Sequence, residues 1–177
     1  MAQERVILVT EADEEVGTQE KLAAHQNGGQ LHRAFSVFLF HPDGRMLLQC
    51  RALTKYHFGG LWTNACCSHP HPGEATPDAA ARRLQEELSI SAELTEAFSF
   101  VYRAEDSATG LTEHEFDHVF IGRFDGVLVP NPEEVAEVAW VEPEVLLADL
   151  AQNPTRYTPW FHIALERVMA VVRHPEQ

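Results

Sequence analysis

The pattern of apolar and polar positions along the chain predicts several strands and helices. The apolar run RVILVT at 5–10 is typical of a short strand. The segments 33–40 (RAFSVFLF) and 45–51 (RMLLQCR) flank the turn residues HPDG, which predicts a β-hairpin. Two longer segments, 93–105 and 113–124, are predicted strands separated by the loop DSATG.

The segment TPDAAARRLQEEL at 76–88 carries the strongest helix signals. We expect Thr76 to cap its N-terminus, Pro77 to take the first helical position and Asp78 to favour the positive end of the helix dipole. Two closing helices are predicted, over PEVLLADL (143–150) and PWFHIALERVMAVVRH (159–174). Strands on both sides of a central helix predict one α+β domain with α/β/α layers.

The composition narrows the classes of function. The 177 residues suffice for one domain, and 13 basic against 27 acidic residues give a net charge of −14. Such a chain repels phosphate backbones and anionic lipid at long range, which argues against nucleic-acid and membrane-surface roles. No apolar run approaches the roughly 20 residues of a spanning helix, and Cys50, Cys66 and Cys67 form a poor disulfide framework. We therefore expect a cytoplasmic protein.

Charged residues on the 76–88 helix are spaced four apart. Arg82 and Glu86 form one pair and Arg83 and Glu87 another, so each pair lies on one helix face. One interpretation is a solvated face whose ion pairs contribute about 0.2–0.5 kcal/mol each. The other is that the Arg83/Glu87 face looks into a pocket, where Glu87 would hold a hard cation and Arg83 an anion.

Histidines and carboxylates form a second set of candidates. His25 and His32 flank a Gly-Gly loop, and His69 lies in a Pro-flanked turn. Glu113 and Glu115 are two apart on a predicted strand, so both side chains leave the same face. If the five converge they make a site for a divalent metal; solvent-facing carboxylates and ordinary surface or core histidines are the alternative.

The segment LWTNACCS at 61–68 is a predicted strand with two adjacent cysteines. Cys66 and Cys67 point to opposite faces, so at most one of them faces a given pocket. A strand cysteine is ordinarily a small buried hydrophobe. A cysteine beside a metal site and basic residues can instead have a lowered pKa and exchange protons, and the residues alone leave both interpretations open.

Four of the 13 basic residues form a further candidate set. If they converge on one cleft they indicate a phosphate or diphosphate ligand, because Arg binds it through bidentate hydrogen bonds and Lys as a point charge. Scattered charges that aid solubility are the alternative. The set is Lys21, Arg51, Lys55 and Arg83.

The predicted helix resembles the Nudix box, in which a Gly precedes a helix ending in R-E-U-X-E-E-X-G-U, where U is aliphatic. The matching run is Gly73 followed by RRLQEELSI at 82–90. Ala79 stands where the box has its first Glu, Arg83 where it has the second, and Ser89 where it has Gly. Nudix hydrolases use carboxylates on this helix to bind metals and activate water, so these departures imply a weakened hydrolytic site.

The chain as a whole is similar to the type 1 isopentenyl-diphosphate isomerases, a family built on a Nudix-like fold. Order and spacing are kept over KLAAH (21–25), LHRAFSVFLF (31–40), RALTK (51–55), WTNACCSHP (62–70), the modified box (73–90), YRA (102–104), the E-x-E of Glu113 and Glu115, and TPW (158–160). The resemblance implies a Nudix-like α/β/α sandwich with a mixed central sheet. It implies one domain over 1–177, with an N-terminal cap segment (1–30) and a core (31–177).

The resemblance also implies the roles of individual residues. The catalytic cysteine falls on Cys67, two residues before the His of the C-x-H-P motif, and Glu115 is a metal ligand and a catalytic acid/base assisted by Tyr102. A divalent metal (Mn²⁺, Zn²⁺ or Mg²⁺) would be held by His25, His32, His69, Glu113 and Glu115.

The same resemblance implies how a substrate diphosphate is held. Glu87 would bind a second ion, Mg²⁺, that bridges to the diphosphate, and Trp160 would face the hydrocarbon end. The diphosphate itself would be bound by Lys21, Arg51, Lys55 and Arg83.

The implied activity interconverts isopentenyl and dimethylallyl diphosphate. Protonation of the alkene creates a tertiary carbocation, so the reaction needs an acid and a base on opposite walls of a closed apolar pocket, which Cys67 and Glu115 would supply. A Nudix-type pyrophosphohydrolase and a non-catalytic binding module are the alternatives. The only partner expected is the small-molecule diphosphate, bound by a monomer or a weak homodimer.

Overall fold

The computed structural model describes residues 4–174. Its strands are β1 (Arg5–Val9), β2 (Glu15–Glu20), β3 (His32–Phe40), β4 (Met46–Arg51), β5 (Trp62–Thr63), β6 (Cys66–Ser68), β7 (Leu94–Glu105), β8 (Thr112–Arg123) and β9 (Val135–Val141). Its helices are α1 (Lys21–His25), α2 (Thr76–Leu88), α3 (Pro143–Gln152) and α4 (Pro159–Arg173), with a 3₁₀ turn at Pro154–Arg156. The predicted hairpin, long strands, central helix and closing helices are confirmed.

The strands form one mixed sheet with β3 at its centre. The backbone order is β2-β1-β3-β4-β5, with β6 also paired to β3, β7 to β8 and β9 to β4. The pairing of β3 with β8 is parallel, from His32 opposite Glu115 to Phe40 opposite Arg123, whereas the other pairs are antiparallel. This pairing brings two candidate ligands side by side at one end of the sheet.

Strand β3 is buried on both faces and separates two hydrophobic cores. Phe35 and Leu39 pack with Leu84 of α2 on one face. Phe38 packs on the other face with Phe161 of α4. Each fully buried Phe or Leu side chain contributes about 1.5–3 kcal/mol. Helices on both faces of a mixed sheet confirm the predicted α+β, α/β/α sandwich.

Helix α2 begins and ends differently from the sequence prediction. Thr76 is already helical, and the N-cap is Ala75, which makes no side-chain capping bond, so the prediction that Thr76 caps the helix was wrong. At the other end Ser89 adopts a left-handed conformation, with φ 57°, and its N–H donates to the Gln85 carbonyl. That conformation suits glycine, which is the residue the Nudix box has there.

Two strands, one helix and the 3₁₀ turn were not predicted, and the single strand predicted over 61–68 is divided into β5 and β6. Strand β2 pairs with β1, and strand β9 pairs with β4. The five-residue helix α1 starts where the Glu20 carboxylate accepts the N–H groups of Leu22 and Ala23. No helix within residues 4–174 is both long and apolar enough to cross a membrane.

Candidate active site and metal centre

Five side chains converge at the end of the sheet where β3 and β8 run in parallel. One nitrogen or carboxylate oxygen from each lies within 4.8 Å of the others, and all five residues are buried. We call this group the His/Glu centre, and it consists of His25, His32, His69, Glu113 and Glu115. The predicted convergence of these five residues is confirmed.

Strand geometry explains how the carboxylates reach the centre. Glu113 and Glu115 alternate with the half-buried His114 on β8, so both point to one face. The His25 Nε2 lies 3.0 Å from Glu113 Oε2, and the His69 Nε2 lies 2.9 Å from Glu115 Oε1. The alternative of solvent-facing carboxylates does not hold.

Backbone carbonyls orient two of the imidazoles. His25 Nδ1 lies 2.6 Å from the Lys21 carbonyl, and His32 Nδ1 lies 2.7 Å from the Gln30 carbonyl. With the Nδ1–H of each ring donated in this way, each Nε2 presents its lone pair to the centre. The His32 Nε2 lies 3.2 Å from the Nε2 of His69.

The electrostatics of the centre suit a divalent cation. Burial lowers the pKa of His32 to about 4 and that of His69 well below its ordinary value, so both imidazoles are neutral as metal ligands must be. Nitrogen and carboxylate oxygen donors together fit Mn²⁺, Zn²⁺ or Mg²⁺. The residues present therefore fit a metal ion.

A narrow cavity of about 40 Å³, room for a few water molecules, lies beside the His/Glu centre. Its walls include ten of the thirteen residues that the sequence singled out: Lys21, Arg51, Lys55, Cys67, His69, Arg83, Tyr102, Glu113, Glu115 and Trp160. His25 and His32 stand behind this wall in the His/Glu centre, and Glu87 stands behind Arg83. Cys67 and Glu115 thus face the same space.

The two adjacent cysteines are separated by the sheet. Cys66 is wholly buried in the core under α2, whereas Cys67 packs beside the aromatic cluster that contains Trp160. The Cys67 Sγ accepts the Trp160 indole N–H at 3.0 Å and lies 3.2 Å from Asn64 Oδ1. Burial raises the pKa of Cys67 to about 12, so the lowered pKa considered from sequence is wrong and the thiol is protonated at neutral pH.

Glu115 lies across the cavity from Cys67, and its surroundings favour the protonated form of its carboxyl. The antiparallel register places Tyr102 opposite it, and the Tyr102 hydroxyl donates to Glu115 Oε2 at 2.6 Å. Burial, with the charges of Glu113 and Asp117, raises the pKa of Glu115 well above its ordinary value. Burial acts the same way on Glu113, but His57 and His25 outweigh it and lower the pKa of that carboxyl.

The four predicted cations all reach the cavity, and we call them the cation rim: Lys21, Arg51, Lys55 and Arg83. Three of them already hold carboxylates, and Lys21 binds Glu4 at 3.0 Å. Lys55 contacts Glu134, and Arg83 binds Glu87 at 2.5 Å and approaches Glu134 at 3.3 Å. Glu87 also accepts a hydrogen bond from Gln49 at 2.9 Å and is 2% exposed. Arg83 thus faces the cavity, whereas Glu87 lies behind it, and the roles expected of the two side chains stay predictions.

The other arginine of α2, Arg82, forms ion pairs on the outer face of the helix. One of its partners bears on the motif position that was given to Ala79. Arg82 binds Glu74 at 2.8 Å and Glu86 at 3.2 Å on the outer face. Ala79, which was aligned with the first Glu of the Nudix box, is wholly buried in the hydrophobic core, where a carboxylate would be unpaired. The first carboxylate of this segment is Glu74, so the alignment with Ala79 was wrong.

Sequence reasoning missed several polar residues that contact the site, and two of them matter most. Asn64 meets the sulfur of Cys67, and its amide donates to the carbonyls of Val37 and Cys66. His57, 3% exposed, contacts Glu113. Its position in KYHF, two residues after a rim lysine, was the signal available for it.

Comparison with known proteins defines the class first. A sequence profile of the NUDIX domain matches residues 30–161. A crystal structure from Deinococcus radiodurans superimposes with a TM-score of 0.70 at 26% identity, covering 85% of this chain and 90% of that one. A MutT protein from Methanosarcina mazei superimposes with a TM-score of 0.66 at 18% identity, over 83% and 96% of the two chains. The fold is that of Nudix proteins.

Curated relatives then define the group within that class. An isopentenyl-diphosphate Delta-isomerase of Nocardia farcinica is 52% identical over 168 residues, 95% of this chain and 96% of the relative. One of Burkholderia multivorans is 49% identical over 172 residues, 97% of each chain. The chain therefore belongs to the NUDIX domain family and, within it, to the isopentenyl-diphosphate Delta-isomerases.

Proposed function

We propose that the protein interconverts isopentenyl and dimethylallyl diphosphate by a 1,3 proton shift. The observation that carries the proposal is the placement of the Cys67 thiol and the Glu115 carboxyl on the walls of one cavity that the cation rim also lines. A thiol and a carboxyl are the acid/base pair that the shift requires, and the cations suit a diphosphate.

The proton shift is balanced between the two groups. One of them gives a proton to the terminal alkene carbon, and the other takes a proton from the methylene carbon next to the resulting cation. Cys67 and Glu115 exchange protonation states in one turnover, so each is the acid in one direction and the base in the other. Tyr102 assists by donating its hydroxyl hydrogen to Glu115.

The His/Glu centre would hold a divalent metal, with Mn²⁺, Zn²⁺ and Mg²⁺ as candidates. When bound, the metal supplies positive charge that favours the ionised form of Glu115. Within the protein, Glu113 and the three imidazoles keep Glu115 directed at the cavity.

The remaining residues would bind and protect the substrate. The cation rim would exchange its carboxylate partners for the diphosphate, and Glu87 would share a Mg²⁺ ion with it. Trp160 is 3% exposed and lines the cavity, and an aromatic ring there would attract a carbocation by about 2 kcal/mol when desolvated. The three free cysteines support a cytoplasmic location, and we expect a monomer or weak homodimer.

Isomerisation of isopentenyl diphosphate in deuterated water, with and without a chelator, tests the proposal. We expect dimethylallyl diphosphate that carries solvent deuterium, and loss of turnover on chelation with recovery when metal is returned. Release of phosphate from nucleoside diphosphate derivatives, without isomerisation, would instead establish the pyrophosphohydrolase alternative.

A further inference from the structure

His57 lies outside the five ligands of the His/Glu centre yet contacts one of them. It sits in the connection between β4 and β5, where the Arg51 guanidinium donates to the carbonyls of His57 and Phe58 at 3.2 and 3.1 Å. The Phe58 N–H donates to Asp106 at 2.9 Å. These bonds fix the backbone at His57 and Phe58, from which the imidazole projects.

The two oxygens of Glu113 have different partners. Oε2 faces the His/Glu centre, 3.0 Å from His25 Nε2 and 3.9 Å from His32 Nε2. Oε1 faces away from those imidazoles and contacts His57 Nε2. The carboxylate is therefore held between the centre and a fourth imidazole, that of His57.

The surroundings of His57 decide which nitrogen acts on Glu113. The Tyr56 ring stacks on the imidazole with centroids 4.2 Å apart, which fixes its plane. Its Nδ1 is buried without a partner, whereas Nε2 points at a carboxylate oxygen, which can only accept from an N–H. Hydrogen on Nε2 is thus the arrangement that satisfies Glu113.

We propose that His57 is a positioning residue of the metal centre: its Nε2–H holds Glu113 Oε1 and so directs Oε2 at the metal. This inference rests on the metal site of the proposed function. Groups that hydrogen-bond a metal ligand typically change metal affinity by about 10–100-fold when removed.

Mn²⁺ binding to the metal-free protein tests the inference without reference to turnover. Isothermal titration is compared for wild type, His57→Leu, His57→Gln and Glu113→Gln, with His174→Leu as a control at an exposed histidine far along the chain. We expect His57→Leu to weaken Mn²⁺ binding about 10–100-fold. Glutamine keeps an N–H donor, so His57→Gln is expected to retain most of the affinity, and His174→Leu all of it.

The outcomes separate this inference from the proposed function. If Glu113→Gln weakens Mn²⁺ binding and His57→Leu does not, His57 has no positioning role. If neither variant changes the affinity, the metal site itself is wrong. Equal losses in His57→Leu and His57→Gln, with one imidazole fewer around Mn²⁺ by electron spin-echo spectroscopy, would make His57 a direct ligand and overturn the positioning role. If His57→Leu fails to fold, as judged by circular dichroism, His57→Gln is compared with His57→Asn. The shorter Asn side chain no longer brings its N–H to Glu113, so reduced Mn²⁺ affinity is expected for His57→Asn only.

Discussion

The His/Glu centre and the cation rim are neighbouring groups of charged and polar side chains, but they are built in opposite ways. The centre combines two buried carboxylates with imidazoles and contains no Lys or Arg among its five residues. The rim consists of cations, and Lys21, Lys55 and Arg83 already bind carboxylates of their own. The centre therefore needs an added cation to balance it, whereas the rim can exchange one anion for another.

This contrast assigns different kinetic effects to the two groups. Residues at the centre and at Cys67 are positioned for proton transfer, so their loss is expected in kcat. Residues of the rim are positioned for binding, so their loss is expected in KM. Four predictions test the division, from the largest expected effect to the smallest.

Removing either proton-transfer group has the largest expected effect. We expect Cys67→Ala and Glu115→Gln each to lower kcat by about 10²–10⁴-fold, the usual contribution of a positioned acid or base. KM should change little, because neither residue belongs to the rim. Steady-state conversion of isopentenyl diphosphate measures both constants, and near wild-type rates in both variants would refute the acid/base assignment.

Loss of a rim cation comes next. Arg83→Gln removes a charge-assisted hydrogen bond of about 1.5–3 kcal/mol, which corresponds to about a 10–100-fold rise in KM for the diphosphate. The value of kcat should stay within a few-fold of wild type. A fall in kcat with unchanged KM would show instead that Arg83 acts in the chemical step.

Loss of the Tyr102 hydroxyl gives a smaller change at the centre. Tyr102→Phe keeps the ring but removes one hydrogen bond to Glu115, of about 1–1.5 kcal/mol. We expect kcat to fall about tenfold. The same kinetics with Tyr157→Phe, whose hydroxyl bonds Asp149 away from the cavity, are the control and should be unchanged.

The neighbouring arginine of α2 gives the smallest effect. Arg82→Gln removes outer-face ion pairs with Glu74 and Glu86, and half-exposed pairs of this kind contribute about 0.2–1 kcal/mol each. Urea denaturation should show a loss of this size, with KM unchanged. A KM rise equal to that of Arg83→Gln would erase the distinction between the two faces of the helix.

Metal removal tests the link between the N-terminal segment and the centre. His25 and His32 bracket residues 25–32, and both belong to the His/Glu centre. Chelation should therefore make the region around 21–32 severalfold more sensitive to protease, read as fragments by mass spectrometry. Identical cleavage with and without chelator would count against the role of the metal in ordering this segment.

The sequence predicted the parts of the fold whose signals are local. The turn HPDG predicted the β3–β4 hairpin, and Pro77 followed by Asp78 predicted α2. Strand β2 was not predicted because EVGTQE has no buried apolar face. It is a strand because it pairs with β1. The N-cap of α2 was placed one residue too late, at Thr76 instead of Ala75. Which of two adjacent residues is the cap depends on their backbone conformation.

In the candidate site, too, local signals predicted only some of the contacts. Convergence of His32 with Glu115 depends on a parallel pairing between strands about 80 residues apart, which spacing alone does not reveal. The resemblance to a family supplied that information. It supplied nothing for His57, whose contact with Glu113 depends on how the β4–β5 connection folds over the cavity.

The long separation of the ligands has a consequence for biosynthesis. His25 and Glu113 meet across 88 positions of the chain, and contacts of such separation form after the local ones. A polypeptide still on the ribosome and shorter than 113 residues has the three imidazoles but neither carboxylate. The five donors are thus complete only after residue 115 has been synthesised, and a product truncated before that point cannot supply the full set.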